Sequence, residues 1–232
     1  MDDLTGQPQD GLQPLDGPRH GPASGGAAKQ LIVLLHGLGA DGNDLISLAP
    51  LLGQVLPDAA FVSPNAPYPC DMAPFGRQWF SLQERSPEAM YAGAERARPL
   101  LAAFLEQELA RHGLGMSELA LLGFSQGTMM SLHTALRMPE PVAGILGYSG
   151  MLIAPERLAA EITVRPPVLL VHGSADEVVP ALSMPAAELA LTEASVPVRT
   201  LLCPGLGHSI DEEGLRAGVD FLRGAFSEAP ES

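Results

Sequence analysis

Residues 119–130 read LALLGFSQGTMM, and this stretch decides the fold. Residues 119–124 are almost entirely apolar, which is typical of a strand buried on both faces of a sheet. The residues from Gln126 onward predict a helix. Between strand and helix, glycines flank Ser125 at positions 123 and 127. A sharp turn needs small residues there, and it holds the serine hydroxyl above the sheet, where the free backbone donors of the helix N-terminus point.

Short apolar runs alternate with helical patterns along the chain from Gln30 onward. This alternation predicts an α/β fold with a mostly parallel central sheet and helices on both faces. Because a helix interior tolerates proline poorly, the helix with Pro99 either kinks there or begins near Arg98. The predicted strands are 30–36, 60–63, 119–124, 142–148, 168–172 and 198–203, and the predicted helices are 44–55, 88–112, 126–137, 155–161, 184–194 and 212–226.

The chain of 232 residues suits one such domain. We expect a flexible or edge-hairpin N-terminal segment over 1–29, a single domain over 30–227 and a C-terminal tail over 228–232. The connection 148–168 has room for one short helix, so no separate cap domain is expected there. The connection 65–87 is long and rich in aromatic residues, which is typical of a functional loop or of a loop held by a small core of its own.

The charge balance limits the binding partners that we expect, and the cysteine count bears on the cellular compartment. Counting 13 Lys and Arg against 27 Asp and Glu gives a net charge of -14, which repels nucleic acid and anionic lipid. No apolar run approaches the roughly 20 residues of a membrane span, so no stable membrane insertion is expected. Cys70 and Cys203 have no metal-ligand spacing, and we expect two free thiols, no metal and a cytoplasmic location.

Ser125 is the candidate nucleophile, and a serine hydroxyl attacks only when a neighbouring base takes its proton. In α/β-hydrolases the serine comes first along the chain, then an acid, then the histidine. His208 lies in the glycine-rich segment 205–209 and alone follows every candidate acid. The other histidines are expected in the core, in solvent or in turns near the site: His20, His36, His112, His133 and His172.

The acid that orients the histidine is expected between the two, at the end of a strand. Asp176 fits, because it follows the turn after the strand 168–172 and precedes an apolar pair. The neighbouring Glu177 is the rival carboxylate. A purely structural role for Asp176, as a residue that caps the turn, is the alternative.

Acyl transfer also needs backbone donors for the oxyanion. One is expected from the N–H of Gln126, directly after the nucleophile, and the other from Leu38 in the glycine-rich segment 36–40. Residues 37–42, GLGADG, also match the dinucleotide pattern G-x-G-x-x-G formally. That match is a weak one, because the segment carries no basic residue.

Apolar side chains near the candidate site predict a groove for an apolar acyl chain. Four of them belong to the connection 65–87, and the alternative for these is that they only pin the loop to a small core. The candidate substrate-binding residues are Met72, Phe75, Trp79, Phe80, Met129 and Val179.

These motifs together resemble the carboxylesterase, acyl-protein thioesterase and phospholipase-like family of small α/β-hydrolases. The resemblance covers residues 31 to about 226, and its five matching segments are 35–42, 78–80, 123–130, 172–180 and 207–208. It implies a triad of Ser125, Asp176 and His208 with oxyanion donors at Leu38 and Gln126. It also implies an acyl groove beside the loop of Trp79, no cofactor, and that homodimers can occur.

The expected function is therefore that of a serine carboxylesterase acting on short to medium acyl chains through an acyl-serine intermediate. Acyl-protein thioesterase and lysophospholipase are the alternatives, so the partner is a small ester or thioester, an acylated protein or a lysophospholipid. The same fold can also serve as a non-catalytic binding module, because function resides in the site and not in the scaffold. Such a module is the more remote alternative.

Overall fold

The computed structural model describes residues 14–227, and the predictions for residues 1–13 and 228–232 lie outside this range. Two single turns of 3₁₀ helix, Ile46–Leu48 and Met116–Glu118, accompany the regular elements. In chain order the strands and α-helices are β1 Arg19–His20, β2 Gln30–Leu35, α1 Gly42–Leu45, α2 Ala49–Val55, β3 Ala59–Val62, β4 Tyr68–Pro69, β5 Arg77–Gln78, α3 Pro87–His112, β6 Leu119–Phe124, α4 Gln126–Ala135, β7 Gly144–Tyr148, α5 Pro155–Glu161, β8 Val168–Gly173, α6 Ser183–Glu193, β9 Val198–Cys203 and α7 Glu212–Ser227.

Seven strands form the central sheet in the order β1-β3-β2-β6-β7-β8-β9. All neighbouring pairs are parallel except β1 with β3, which is antiparallel. The six predicted strands are therefore β2, β3, β6, β7, β8 and β9, and the predicted mostly parallel sheet is confirmed. In such a sheet the carboxyl ends of the strands share one edge, and ligands bind outside that edge.

The sheet separates two hydrophobic cores, and the alternation along β2 shows how. Leu31, Val33 and Leu35 face one core, whereas Ile32 and Leu34 face the other. The first core receives α3, α4, α5 and α6, and the second receives α2 and α7. Because both faces of the inner strands are covered, their side chains are almost all apolar, as the sequence pattern indicated.

Helix α3 runs without interruption from Pro87 to His112 and contains Pro99. The alternative in which the helix begins near Arg98 is therefore wrong. Ser86 caps the N-terminus, and Gly113 ends the helix in a left-handed conformation at φ 67°. The proline removes one backbone donor, but burial of an apolar face on both sides of it holds the helix together. That face consists of Ala94, Ala97, Leu101, Phe104, Leu105 and Leu109.

The loops around the sheet leave its carboxyl edge accessible. The connection between β7 and β8 holds only α5, and no separate cap domain is inserted there. The connection between β3 and α3 contains the two-stranded hairpin of β4 and β5. The described part of the predicted N-terminal segment packs on the sheet, with β1 as the edge strand and Leu15 buried. The division into segments 1–29, 30–227 and 228–232 stays a prediction.

The state of the two cysteines and the character of the helices can be compared with what the sequence predicts. Cys70 and Cys203 are both free thiols. Among the helices described within residues 14–227, none combines the length and the apolar character needed to cross a bilayer.

Gly127 lies where α4 packs tightly against the end of β2, and we expect its replacement to destabilise the fold. A Cβ at this position would collide with the carbonyl oxygen of Leu35 in β2. We expect Gly127→Ala to lower the free energy of unfolding by about 3 kcal/mol, because a backbone atom cannot move aside as a side chain can. Urea denaturation measures the change.

The matched control is Gly224→Ala in α7, where an added Cβ meets nothing within 4 Å. There we expect a small gain, about 0.5 to 1 kcal/mol, from the better helix propensity of alanine. Equal stabilities of Gly127→Ala and wild type would contradict the tight approach of α4 to β2.

Candidate active site

Ser125 occupies the sharp turn between β6 and α4. Its backbone is held at φ 54° and ψ −117°, outside the regions that non-glycine residues ordinarily adopt. A Cβ at Gly123 would lie 2.5 Å from the carbonyl carbon of Gly127, so both glycines are needed for this turn. The N–H of Ser125 donates to the carbonyl of Tyr148 at 2.9 Å and ties the turn to β7. The local sequence thus forces the serine into a strained position at the carboxyl edge.

Asp176 and His208 are in direct contact, although 32 positions separate them in the sequence. The Nδ1 atom of His208 lies 2.8 Å from Oδ2 of Asp176. Asp176 follows β8, and His208 lies in the loop after β9, so both occupy the same edge of the sheet as Ser125. A carboxylate only accepts hydrogen bonds, so this contact places the proton of the neutral imidazole on Nδ1 and leaves Nε2 as an acceptor.

The carboxylate of Asp176 is buried and accepts several hydrogen bonds. Its Oδ1 receives the backbone N–H groups of Val178 and Val179, each at 2.9 Å. Burial alone would raise the pKa of Asp176, but the bonds from His208, Val179 and Val178 outweigh it and bring the pKa below its ordinary value. The group is therefore charged at neutral pH, as an acid that stabilises an imidazolium must be.

His172 supports the same carboxylate, a role that the sequence did not reveal. Its Nε2 lies 2.9 Å from the carbonyl of Val179 and 3.3 Å from Oδ2 of Asp176. Because a carbonyl only accepts, Nε2 of His172 carries the proton. His172 thus holds the Asp176 turn against the end of β8. The sequence feature that indicated a role for His172 near the site is its position directly before Gly173, the last residue of β8.

Ser125 and His208 line one cavity, together with Phe124, whose ring centroid lies 4.8 Å from that of His208. Within residues 14–227, no protein group forms a hydrogen bond with the Ser125 hydroxyl. Bonds between a nucleophile and its base are often long without substrate and tighten in the complex. The arrangement therefore has an oriented imidazole and an available hydroxyl in the same cavity.

The backbone N–H groups of Leu38 and Gln126 are available as donors at this edge. Gln126 is the first residue of α4, so its N–H has no acceptor within the helix. In the described part of the chain, the N–H of Leu38 has no backbone acceptor, although Gly39 and Ala40 beside it do. His36 shapes this loop, because its Nδ1 donates to the carbonyl of Gly37 at 2.7 Å while its Nε2 accepts from Ala66 at 3.0 Å.

Trp79 and Phe80 lie in the protein interior, where they connect the long loop to the site. Trp79 is 0% exposed, and its indole Nε1 donates to the carbonyl of His36 at 3.0 Å. The side chain of Gln126 accepts from the N–H of Trp79 and donates to the carbonyl of Phe80, each at 2.8 Å. These bonds fix the loop to the serine turn. Burial of Trp79 and Phe80 agrees with the alternative in which apolar residues of this loop hold it to a core and do not form a substrate wall.

The cavity above Ser125 has a volume of about 390 Å³ and mostly apolar walls. Of the predicted substrate-binding residues, Met129 and Val179 line it. Met72 and Phe75 do not, and Phe75 is 74% exposed on the loop between β4 and β5. A role for these two in substrate binding stays a prediction. The remaining lining residues are Gly37, Leu38, Leu82, Arg85, Met90, Phe124, Ser125, Met151, Val178, Pro180 and His208.

His133, which the sequence predicts to lie in the core or in solvent, is buried in α4 and takes no part in this cavity. Burial lowers the pKa of His133 to about 4, helped by the charge of Arg137 and opposed by a hydrogen bond to Glu95. The imidazole is neutral at physiological pH. Over residues 14–227, no group of three or more His, Cys, Asp or Glu side chains is placed to hold a metal ion.

Comparison with known proteins agrees with this architecture. A family model described as phospholipase/carboxylesterase matches residues 23–225. The chain is 29% identical to the esterase YpfH of Escherichia coli K12 over 84% of this chain and 83% of that protein. It is also 29% identical to acyl-protein thioesterase 1 of Eremothecium gossypii, with coverages of 84% and 88%.

Among solved structures, the crystal structure of esterase PE8 superposes with a TM-score of 0.87 at 46% identity, covering 91% of this chain and 99% of that one. The family match spans most of the chain and includes the serine turn, the Asp176 turn and the His208 loop. The chain therefore belongs to the phospholipase/carboxylesterase family of α/β-hydrolases and is a carboxylic ester hydrolase.

Proposed function

We propose that the protein is a serine carboxylesterase that acts on apolar acyl chains of short to medium length. The observation that carries the proposal is the 2.8 Å bond from His208 to Asp176, formed beside the cavity that also holds the strained Ser125. These three groups have the chemistry of nucleophile, base and orienting acid. The family model and the esterase relatives support the reaction class.

In the first step, Oγ of Ser125 attacks the ester carbonyl while Nε2 of His208 takes the serine proton. The carbonyl oxygen becomes an oxyanion, which the N–H groups of Leu38 and Gln126 stabilise. Collapse of the tetrahedral intermediate breaks the ester bond, and His208 returns the proton to the leaving alcohol. The product is an acyl-Ser125 intermediate.

In the second step, water attacks the acyl-Ser125 carbonyl while His208 accepts one of its protons. Collapse releases the carboxylic acid, and the proton returns from His208 to Oγ of Ser125. No cofactor enters either step. Asp176 holds the imidazole and stabilises its charged form.

The direct test is labelling by a fluorophosphonate, which reacts with an activated serine and not with an ordinary one. We expect wild-type protein to gain one adduct on the peptide that contains Ser125, as peptide mass spectrometry measures. Labelling elsewhere, or none in protein that hydrolyses p-nitrophenyl esters, would contradict the assignment. Labelling of Ser125 also excludes a non-catalytic binding module.

Lengthening the acyl chain of the substrate is expected to raise kcat/KM. The cavity walls beside Ser125 include Met90, Met129 and Met151, and each further methylene buried against them contributes up to about 0.8 kcal/mol. We therefore expect a two- to fourfold rise for each methylene from p-nitrophenyl acetate to the hexanoate. Initial rates below KM measure the series.

The control for the chain-length series is a set of alcohols of different size on a fixed hexanoyl group. Because no cap domain closes the site in the described range 14–227, we expect rates to depend much less on the alcohol than on the acyl chain. A steady fall of kcat/KM beyond acetate would exclude an acyl groove in this cavity.

Hydrolysis of acyl thioesters is the second candidate function. The accessible carboxyl edge leaves room for a bulky leaving group, and the relative from Eremothecium gossypii is an acyl-protein thioesterase. Rates on a thioester and on its oxygen ester with the same acyl chain separate the two. Two free cysteines support a cytoplasmic enzyme in either case.

A further inference from the structure

Among the residues of 14–227 that line the catalytic cavity, Arg85 is the one permanently cationic side chain. It belongs to the segment between β5 and α3, directly before the helix cap Ser86. Around it the wall is apolar, with Leu82 and Met90 on the same side. Arg85 is solvent-exposed and also lines the cavity, so its guanidinium is placed to meet an anionic group on a ligand whose other atoms contact the apolar wall.

The guanidinium of Arg85 has no carboxylate partner in the described part of the chain. Its Nε donates to the carbonyl of Leu82 at 3.3 Å, which leaves both terminal nitrogens available. Arg137, by contrast, is paired with Glu161 at 2.7 Å. The two terminal nitrogens of a guanidinium have the geometry that binds a carboxylate or a phosphate through two parallel hydrogen bonds.

The surroundings of Arg85 are otherwise acidic. Glu84 and Glu88 are its close neighbours in sequence, and the whole chain carries a net charge of -14. Glu84 is already engaged, because it accepts a hydrogen bond from the Ser86 hydroxyl at 2.8 Å. This background disfavours anionic molecules in general. Recognition of one at this cavity therefore depends on Arg85.

We propose that Arg85 is a specificity-determining residue that binds a carboxylate or phosphate group carried by the ester substrate. The inference rests on the proposed esterase function and names a substrate class for the same site. The apolar wall binds the chain, and Arg85 binds the charged group attached to it. The charge sits on either the acyl or the alcohol part of the ester, and the experiment distinguishes the two.

The experiment compares esters that differ only in a terminal carboxylate. For the acyl part, the pair is p-nitrophenyl hexanoate and the p-nitrophenyl half-ester of adipic acid. For the alcohol part, the pair is pentyl hexanoate and the hexanoyl ester of 5-hydroxypentanoate. The quantity is the ratio of kcat/KM for the charged ester to kcat/KM for the neutral one.

In one of the two pairs, we expect Arg85→Met to lower this ratio about fivefold, the effect of one solvent-accessible ion pair. Arg85→Glu should lower it further, and added salt should reduce the wild-type ratio. The matched control is Arg96→Met, which removes the same charge from an exposed position on α3 that does not line the cavity. The control should leave both ratios unchanged.

Ratios that Arg85→Met leaves unchanged in both pairs would overturn the role of Arg85 alone. A ratio that falls equally in Arg96→Met would also overturn it, because the effect would then reflect net charge. Wild-type protein that hydrolyses none of the four esters would instead exclude the proposed esterase function, and the inference with it.

Discussion

Ser125→Ala is expected to lower kcat/KM for p-nitrophenyl hexanoate by a factor on the order of 10⁶. The variant keeps the cavity and the Asp176–His208 pair but has no group that forms the acyl intermediate. Its stability should stay within about 0.5 kcal/mol of wild type, because the lost hydroxyl has no protein partner within residues 14–227. Initial rates at matched folded concentrations, together with urea denaturation, measure both quantities.

The chain offers a matched control in Ser149, which follows β7. Ser149 also has a positive φ, 47°, and its buried hydroxyl has no hydrogen-bond partner in the portion of the chain that the structure describes, but it does not line the cavity. Ser149→Ala should therefore retain activity within about twofold of wild type. Ser125→Ala protein that retains a tenth of wild-type activity would refute its role as nucleophile. Equal losses in both variants would point to general disturbance of the sheet edge.

The arrangement of the sheet and of the candidate catalytic residues was predictable because local sequence determines it. Strands that are covered on both faces must be largely apolar, and β2, β6 and β8 are, with Gln30 and His172 as the polar exceptions near their ends. The serine turn needs small residues at positions 123 and 127 because backbone atoms of α4 and β2 approach there. Parallel strands then bring the residues after each strand to one edge, whatever their separation in the chain.

The roles of Trp79 and Phe80 were not predictable, because they depend on partners far away in the sequence. An aromatic residue in a long loop fits a substrate wall and a buried anchor equally well from composition alone. The anchor is determined by the side chain of Gln126 and the carbonyl of His36, which lie 47 and 43 positions from Trp79. The position of the short edge strand β1, in a segment expected to be flexible or an edge hairpin, could not be predicted for the same reason, since only its pairing with β3 defines it.

The local chemistry around Asp176 makes its amide variant informative. Two backbone N–H groups, from Val178 and Val179, point at Oδ1 and require an acceptor there. In Asp176→Asn the amide oxygen therefore takes the place of Oδ1, and the NH₂ group takes the place of Oδ2. A donor then faces Nδ1 of His208, which must lose its proton to accept the bond. The imidazole is held in the tautomer with its proton on Nε2, where it cannot take a proton from Ser125.

Asp176→Asn is accordingly expected to lower kcat about 10⁴-fold with little change in the geometry of the site. The rival carboxylate supplies the control, because Glu177→Gln removes the same charge from an exposed side chain next in sequence and should leave kcat nearly unchanged. Steady-state rates of both variants on p-nitrophenyl hexanoate, with far-ultraviolet circular dichroism for folding, make the comparison. The reverse order, a large loss in Glu177→Gln and a small one in Asp176→Asn, would transfer the orienting role to Glu177. The buried carboxylate of Asp176 accepts from two backbone donors on one oxygen and contacts His208 with the other. The structure therefore supports a large loss of kcat in Asp176→Asn and a small one in Glu177→Gln.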